Sequence, residues 1–142
     1  MSIIYTLDTN IISELTKPRP SEKMLSMLES KTAFCSICAP VWYEAIKGLE
    51  AMPEGRKKQS AEIITYDYIQ GTYPIINYDK HAASMHAKIF SELKKHGKIP
   101  PTIDAMIASI AMSNNLILVT RNVKDYEPIR EHFSLCVENW FE

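Results

Sequence analysis

Apolar residues along this chain fall into two alternating kinds of run. Short uncharged stretches rich in β-branched side chains alternate with longer ones in which apolar positions recur every three or four residues. The first kind reads as strands covered on both faces, the second as helices packed on them. Ile3–Leu7 opens the chain as such a strand and ends abruptly in Asp8-Thr9-Asn10, a polar triplet suited to a turn or a helix N-cap. A short helical turn through Ile11, Ile12 and Leu15 follows, then an exposed loop, Lys17-Pro18-Arg19-Pro20. Ser21 is placed to cap a helix carrying Met24, Leu25 and Leu28 on one face, and Ala33–Ile37 reads as the second strand.

Pro40 suits the first turn of the next helix, on which Val41, Glu44, Ala45 and Gly48 form one stripe. Ala39 stands just before it, where a capping Ser or Thr would be stronger. Pro53-Glu54-Gly55 breaks the chain ahead of a helix from Arg56 to about Ile69, and Pro74–Asn77 is a third short strand. Asp79 caps a long helix that stops near Gly97. Pro100-Pro101-Thr102 starts another, with Thr102 as the capping hydroxyl and Ile103, Met106, Ile107, Ile110 and Ala111 at helical period. Asn114-Asn115 ends it, Leu116–Thr120 is the clearest strand, and a polar loop runs from Arg121 to Tyr126. A last strand at about Leu135–Glu138 leads into Trp140. Strands separated by helices predict an α/β fold: a central parallel sheet of four to five strands, flanked by helices and wound right-handed. No repeat or domain boundary interrupts residues 1–142, so one domain is expected.

Composition narrows the function classes. Apolar residues make up 46% and charged residues 23%, an ordinary globular balance. Four glycines argue against a glycine-cradled nucleotide site. A net charge of −1 offers no bulk attraction for nucleic acid, so any such binding rests on local basic groups. Lys17, Arg19, Lys47, Arg121 and Lys124 are candidates, with solvated surface as the plainer reading. No window approaches a membrane span and no basic segment precedes an apolar core at the start, so a cytoplasmic, membrane-free protein is expected. Three cysteines fit a reducing compartment. Cys35-Ser36-Ile37-Cys38 has redox spacing, but two buried small hydrophobes are the simpler account. His81, His86, His96 and His132 show only helical surface spacing and receive no role.

The acids carry the chemistry. Asp8 ends the first strand, where open α/β sheets place ligands. Glu44 lies on an otherwise apolar stripe, and the small Ala45 and Gly48 beside it are expected to bring that helix close to the sheet. Asp104 falls in the first turn of its helix, and Asn122 and Asp125 follow the fourth strand. Singly, Asp8 and Asp104 could merely serve helix ends, and Asp125 could be a solvated loop residue. Together at one sheet edge, carboxylates repel and raise one another's pKa, a conflict that a divalent cation removes. Hard oxygen donors suit Mg2+ or Mn2+, which polarise phosphodiesters and lower the pKa of bound water.

Tyr5-Thr6-Leu7-Asp8-Thr9-Asn10 resembles the opening signature of PIN-domain ribonucleases. Glu44-Ala45-Ile46-Lys47-Gly48, Asp104-Ala105-Met106-Ile107-Ala108 and Leu118-Val119-Thr120-Arg121-Asn122 resemble the family's later motifs, in family order. With Glu138-Asn139-Trp140, the chain is most similar to VapC-type toxins of toxin–antitoxin pairs. The resemblance implies a PIN-like fold and Mg2+-dependent endoribonuclease activity (Mn2+ as a substitute). Asp8 and Asp104 would be the main metal ligands, with Glu44 as ligand or orienter of the attacking water. Asn122 stands where the family often has Asp, so Asn122 or Asp125 would complete the catalytic set. Asn10 would cap or position a metal-bound water. The resemblance also implies an RNA substrate, a small antitoxin partner and a homodimer. The rival expectations are another metal-dependent phosphohydrolase and a catalytically inactive PIN-like interaction module. A phosphatase that needs a second Asp two residues after the first is disfavoured by Asn10.

Overall fold

β1 (Tyr5–Leu7) takes the centre of the sheet because its side chains have least to gain from water: Thr6 and Leu7 are both fully buried. The remaining strands are β2 (Cys35–Cys38), β3 (Ile75–Ile76), β4 (Ile117–Val119) and β5 (Val137–Glu138). They lie in the order β3-β2-β1-β4-β5, and every pairing is parallel. This computed structural model describes residues 2–142. Thr6 aligns with Ser36 on one side and Leu118 on the other. The chain leaves β1 toward β2 and β3, then crosses back to β4 on β1's far side. The strand order therefore reverses between β1 and β4, and a crevice opens at their carboxyl ends.

The helices are α1 (Thr9–Leu15), α2 (Glu22–Lys31), α3 (Ala39–Ala51), α4 (Arg56–Ile63), α5 (Gln70–Thr72), α6 (Lys80–Lys95), α7 (Thr102–Ser113) and α8 (Glu127–Arg130). α4 runs through a π-helical turn, Ile64–Ile69, directly into α5, so the helix expected from Arg56 is present but locally widened. Ser21 and Asp79 cap as expected, accepting from the Met24 and Ala82 N–H groups at 3.3 and 2.9 Å. Gly97, at φ +67°, ends α6 in the left-handed region that glycine enters without strain. α7 is buried nearly all round: Ala105, Ala108 and Ala111 let it settle close, while Ile107 and Ile110 fill the core.

The strands are shorter than the apolar runs because flanking residues spend their backbone groups elsewhere. Leu116 N–H closes the end of α7 on Ala111 O at 2.8 Å, after Asn115 turns at φ +55°. A 3₁₀ turn, Thr32–Phe34, delays β2 past Ala33. Ile4 still bonds to Phe34 O, at the end of that turn, and to the Ile117 N–H of β4, yet the residue is 39% exposed rather than covered. The polar loop after β4 contains a 3₁₀ turn, Val123–Tyr126, and then α8, which the pattern did not predict.

Two expected caps are corrected. Thr102 is the exposed first residue of α7, and Pro101 is its N-cap, with no side-chain bond. Cys38, not Ala39, precedes the first turn of α3, also without a side-chain bond. Cys35 and Cys38 are buried and free, and burial pushes both thiols up to about 12. Thiols held in that state are inert core residues rather than a redox pair. No helix among the described residues is long and apolar enough to cross a membrane.

Candidate active site

Asp8 stands in the crevice between β1 and β4, 6% exposed. Its backbone N–H continues the ladder to Val119 O at 2.9 Å, which fixes where the side chain emerges. Oδ1 accepts the Thr9 N–H at 2.8 Å, so Asp8 does cap α1. Oδ2 accepts from the Thr120 hydroxyl at 2.8 Å, the Tyr126 phenol at 3.1 Å and, at 3.5 Å, the Asn10 amide. Burial raises the Asp8 pKa most, Glu44 adds to it, and the hydrogen bonds oppose both.

Thr120 is the hub of this wall. Besides donating to Asp8, its Oγ1 accepts the Asn10 amide at 3.0 Å and the Asn122 N–H at 3.1 Å. Asn10 Oδ1 in turn accepts the Arg121 N–H at 3.0 Å. Asn10 therefore laces the end of β1 to the loop after β4, a role the sequence reading did not consider. Thr120 and Tyr126 were likewise missed as partners of Asp8. The signal available in advance was a hydroxyl directly after the clearest strand.

Glu44 projects from α3, half-buried, and its Oε1 accepts the Thr9 hydroxyl at 2.6 Å. Gly48 does not bring α3 close to the sheet. A side chain there would meet nothing within 4 Å, and the residue is exposed in a groove lined by Ile12, Ala45, Leu49 and Ala61. Its position is explained by facing outward, and the approach of α3 rests on buried Val41 and Leu49.

The opposite wall is built differently. Asp104 enters from the first turn of α7, half-buried, and no side-chain hydrogen bond reaches it among the described residues. Its pKa rises from 3.8 to about 6, chiefly through burial and then through the charges of Asp8, Asp125 and Glu44. These couplings place four acids around one crevice. Asp125 is exposed, as is Asn122, which contributes only its backbone N–H to Thr120. Among the described residues no three of these carboxylates place oxygens within 4.8 Å of one another. The acids are gathered but not closed into one inner coordination shell, a spacing compatible with Mg2+ that keeps several waters.

The candidate basic groups vary in availability. Lys17 is engaged by Glu14 at 2.8 Å, and Glu14, buried, also accepts the Ser21 N–H at 2.8 Å. The Lys17 hydrogen bond and charge hold the Glu14 carboxyl below its ordinary range despite burial. Arg121 lies 4.7 Å over the Phe141 ring with an Nη1 3.9 Å from Glu14. Lys47 lies over the Tyr43 ring at 5.7 Å, while Arg19 and Lys124 are exposed.

One grouping departs from expectation. His96 and His132, given no role from their spacing, stack with ring centroids 4.4 Å apart, and both face Glu92. His132 comes from the chain after α8, so only the fold brings it to the end of α6.

The PIN domain model matches residues 5–127. Ribonuclease VapC2 of Haemophilus influenzae is 32% identical over 139 residues, covering 96% of this chain and 97% of its own. Toxin FitB of Neisseria gonorrhoeae is 30% identical over 131 residues, covering 84% and 88%. Among solved structures, DNA-bound VapBC from Salmonella typhimurium superposes with TM-score 0.84 at 26% identity, over 97% of this chain and 98% of that one. A toxin–antitoxin complex from Klebsiella pneumoniae gives TM-score 0.71 at 25% identity, over 97% and 98%. The crevice acids, the parallel sheet that presents them and these matches agree: the chain belongs to the PIN-domain family and stands among its VapC-type members.

Proposed function

We propose that this protein is a metal-dependent endoribonuclease that hydrolyses RNA phosphodiester bonds, acting as the toxin of a type II toxin–antitoxin pair in the cytoplasm. The observation that carries the reading is the crevice at the carboxyl ends of β1 and β4, where Asp8, Glu44, Asp104 and Asp125 gather and, among the described residues, no basic side chain pairs with any of them. An oxygen-only set of mutually repelling acids fits a hard divalent ion, Mg2+ with Mn2+ as substitute. Asp8 and Asp104 would hold it, with Glu44 as a further ligand. When bound, the ion supplies Lewis-acid polarisation of a phosphodiester and a water of lowered pKa.

The chain's own residues do the positioning. Thr9 holds one oxygen of Glu44 at 2.6 Å, which leaves the other to orient water or the ion. Thr120 and Tyr126 fix the Asp8 carboxylate so that it need not reorganise. Asp125, whose charge reaches Asp104, is favoured over Asn122 as the fourth catalytic acid. Exposed Lys124, which lines one groove with Asn122 and Asp125, would meet RNA phosphates, and exposed Arg19 is free of any ion pair among the described residues.

The relatives' names support the biological setting: one is a ribonuclease, one a toxin, and one solved neighbour a toxin–antitoxin complex. A small antitoxin is therefore a proposed partner, and a second copy of this chain is proposed from the family resemblance. The aromatic outer side of α3, with Trp42, exposed Tyr43 and Ile46, offers a protein partner apolar area. Incubation of purified protein with structured RNA, in Mg2+ or chelator, tests the reading. Cleavage that requires Mg2+ and is lost in Asp8→Asn is expected. Hydrolysis of a small phosphomonoester without RNA cleavage would point to another phosphohydrolase. No metal-dependent activity on either substrate would point to an interaction module.

A further inference from the structure

Away from the acidic crevice, three groups of a different kind converge. Glu92, in the last turn of α6, and His96, the C-cap residue that follows it, lie four residues apart and face the same way. His132 arrives from the segment behind α8, anchored there by its N–H on Ile129 O at 3.1 Å. The two imidazoles are nearly parallel, 19° between planes and 4.4 Å between centroids. Both address the same carboxylate oxygen: Glu92 Oε1 is 3.4 Å from His96 Nε2 and 3.9 Å from His132 Nδ1.

Those separations are poor for hydrogen bonding, where N–H···O distances cluster at about 2.9–3.0 Å. They are close to what a shared cation needs. Bonds of about 2.0–2.1 Å in a tetrahedral arrangement put neighbouring donor atoms about 3.4 Å apart. One donor atom from each residue lies within 4.8 Å of the others. Because imidazole lone pairs lie in the ring plane and the two rings are stacked, one ring must turn out of the stack for both to reach the same ion. The side chains are 36%, 47% and 24% exposed for Glu92, His96 and His132, which leaves room for the rotation and for water as a fourth ligand. Lys95 touches Glu92 through the other oxygen, Oε2, at 3.6 Å, and does not occupy the shared face. Lys98 spans the same two segments to Glu131 at 3.5 Å.

We propose that Glu92, His96 and His132 form a second metal site, taking a borderline transition ion such as Zn2+ through two imidazoles and one carboxylate. Its donor chemistry separates it from the crevice, where every donor is oxygen: nitrogen donors favour zinc and its neighbours over magnesium. An ion there would staple the end of α6 to the chain behind α8. The turn before α8 carries Asp125 and Tyr126, so the staple would brace the segment that holds Asp8 from one side.

Chelator-stripped protein is titrated at neutral pH with Zn2+ in a large excess of Mg2+, against a chromophoric competitor. Wild type is expected to take up one equivalent, and Zn2+ to raise its melting temperature. His96→Ala and His132→Ala are each expected to weaken that uptake by at least about tenfold, the lower end of losses seen even for outer-shell partners. Glu92→Gln keeps the side-chain shape and is expected to weaken it as well. Asp104→Asn, which alters only the crevice, is expected to leave it unchanged. Absence of uptake by wild type, or uptake and thermal shift undiminished in both histidine variants, would overturn the proposal. Loss in Asp104→Asn alone would assign the zinc to the crevice and overturn it equally.

Discussion

The two walls of the crevice hold the same kind of side chain in opposite ways. On the β1–β4 wall, Asp8 is buried and both of its oxygens accept hydrogen bonds, from Thr9, Thr120, Tyr126 and Asn10. On the α7 wall, Asp104 is half-buried, meets no side-chain donor and is surrounded by like charge. Burial raises both carboxyls, but at Asp8 hydrogen bonds oppose it, and at Asp104 every named influence points the same way. One wall is pre-organised by the protein, while the other is left short of a counter-charge. That asymmetry would suit the proposed cation: the hydrogen-bonded wall would set its geometry and the unpaired wall would supply the affinity.

Replacing each aspartate should separate the walls most sharply. Asp8→Asn and Asp104→Asn are both expected to lower RNA cleavage on the order of a thousandfold, about 4 kcal/mol of transition-state stabilisation. Their effects on folding should have opposite sign. Asp8→Asn sets an amide against donors already in place and should cost about 1–3 kcal/mol in urea unfolding. Asp104→Asn removes only repulsion and should stabilise the metal-free protein at neutral pH. Equal destabilisation by the two would erase the distinction between the walls.

Thr120→Val comes next. It removes the hydroxyl that donates to buried Asp8 and accepts from Asn10 and the Asn122 N–H, so a loss of about 1–3 kcal/mol is expected. Tyr126→Phe deletes a single donor at 3.1 Å and should cost about 1 kcal/mol, with a fall in kcat rather than a rise in KM. A KM effect without a kcat effect would mean that the phenol contacts RNA instead of steadying Asp8.

The α7 wall predicts a smaller effect with a definite sign in pH. Folding moves the Asp104 carboxyl from 3.8 to about 6, so between those values the folded state binds more protons than the unfolded one. Stability of the metal-free protein should therefore fall as pH rises through that window. Because Asp104 is half-exposed, solvent screens part of the repulsion, and a change of about 1 kcal/mol is expected. Added Mg2+ or Asp104→Asn should flatten the curve, which thermal melts across the window would reveal. The smallest effect belongs to Cys35→Ala with Cys38→Ala: cleavage should ignore thiol oxidants and reductants in both wild type and variant.

Most elements could be read from the chain, because each needed only local information. Glycine and proline positions, Ser21 and Asp79 as caps, and the change from strand-like to helical period all act within a few residues. Failures arose where a backbone group answered to a distant partner. Leu116 belongs to the end of α7 rather than to β4, and Thr102 cedes its cap position to Pro101. Within the site, the acids themselves stood out, since a charge on an apolar stripe or at a strand end is costly without a reason. Their supporting groups did not. Thr9 and Glu44, or Tyr126 and Asp8, are far apart in sequence, and a hydroxyl in a loop carries no mark of what it will meet.

What the sequence determined by itself was therefore the identity of the elements and of the charged groups, because propensity, periodicity and the cost of burying charge are properties of short segments. Only the tertiary structure decided which of those groups share an environment. The reversal of strand order beside β1 sets Asp8 against Thr120, α7 carries Asp104 to the same crevice, and the chain behind α8 lays His132 on His96. Proximity between distant segments is created by packing, and no local pattern encodes it.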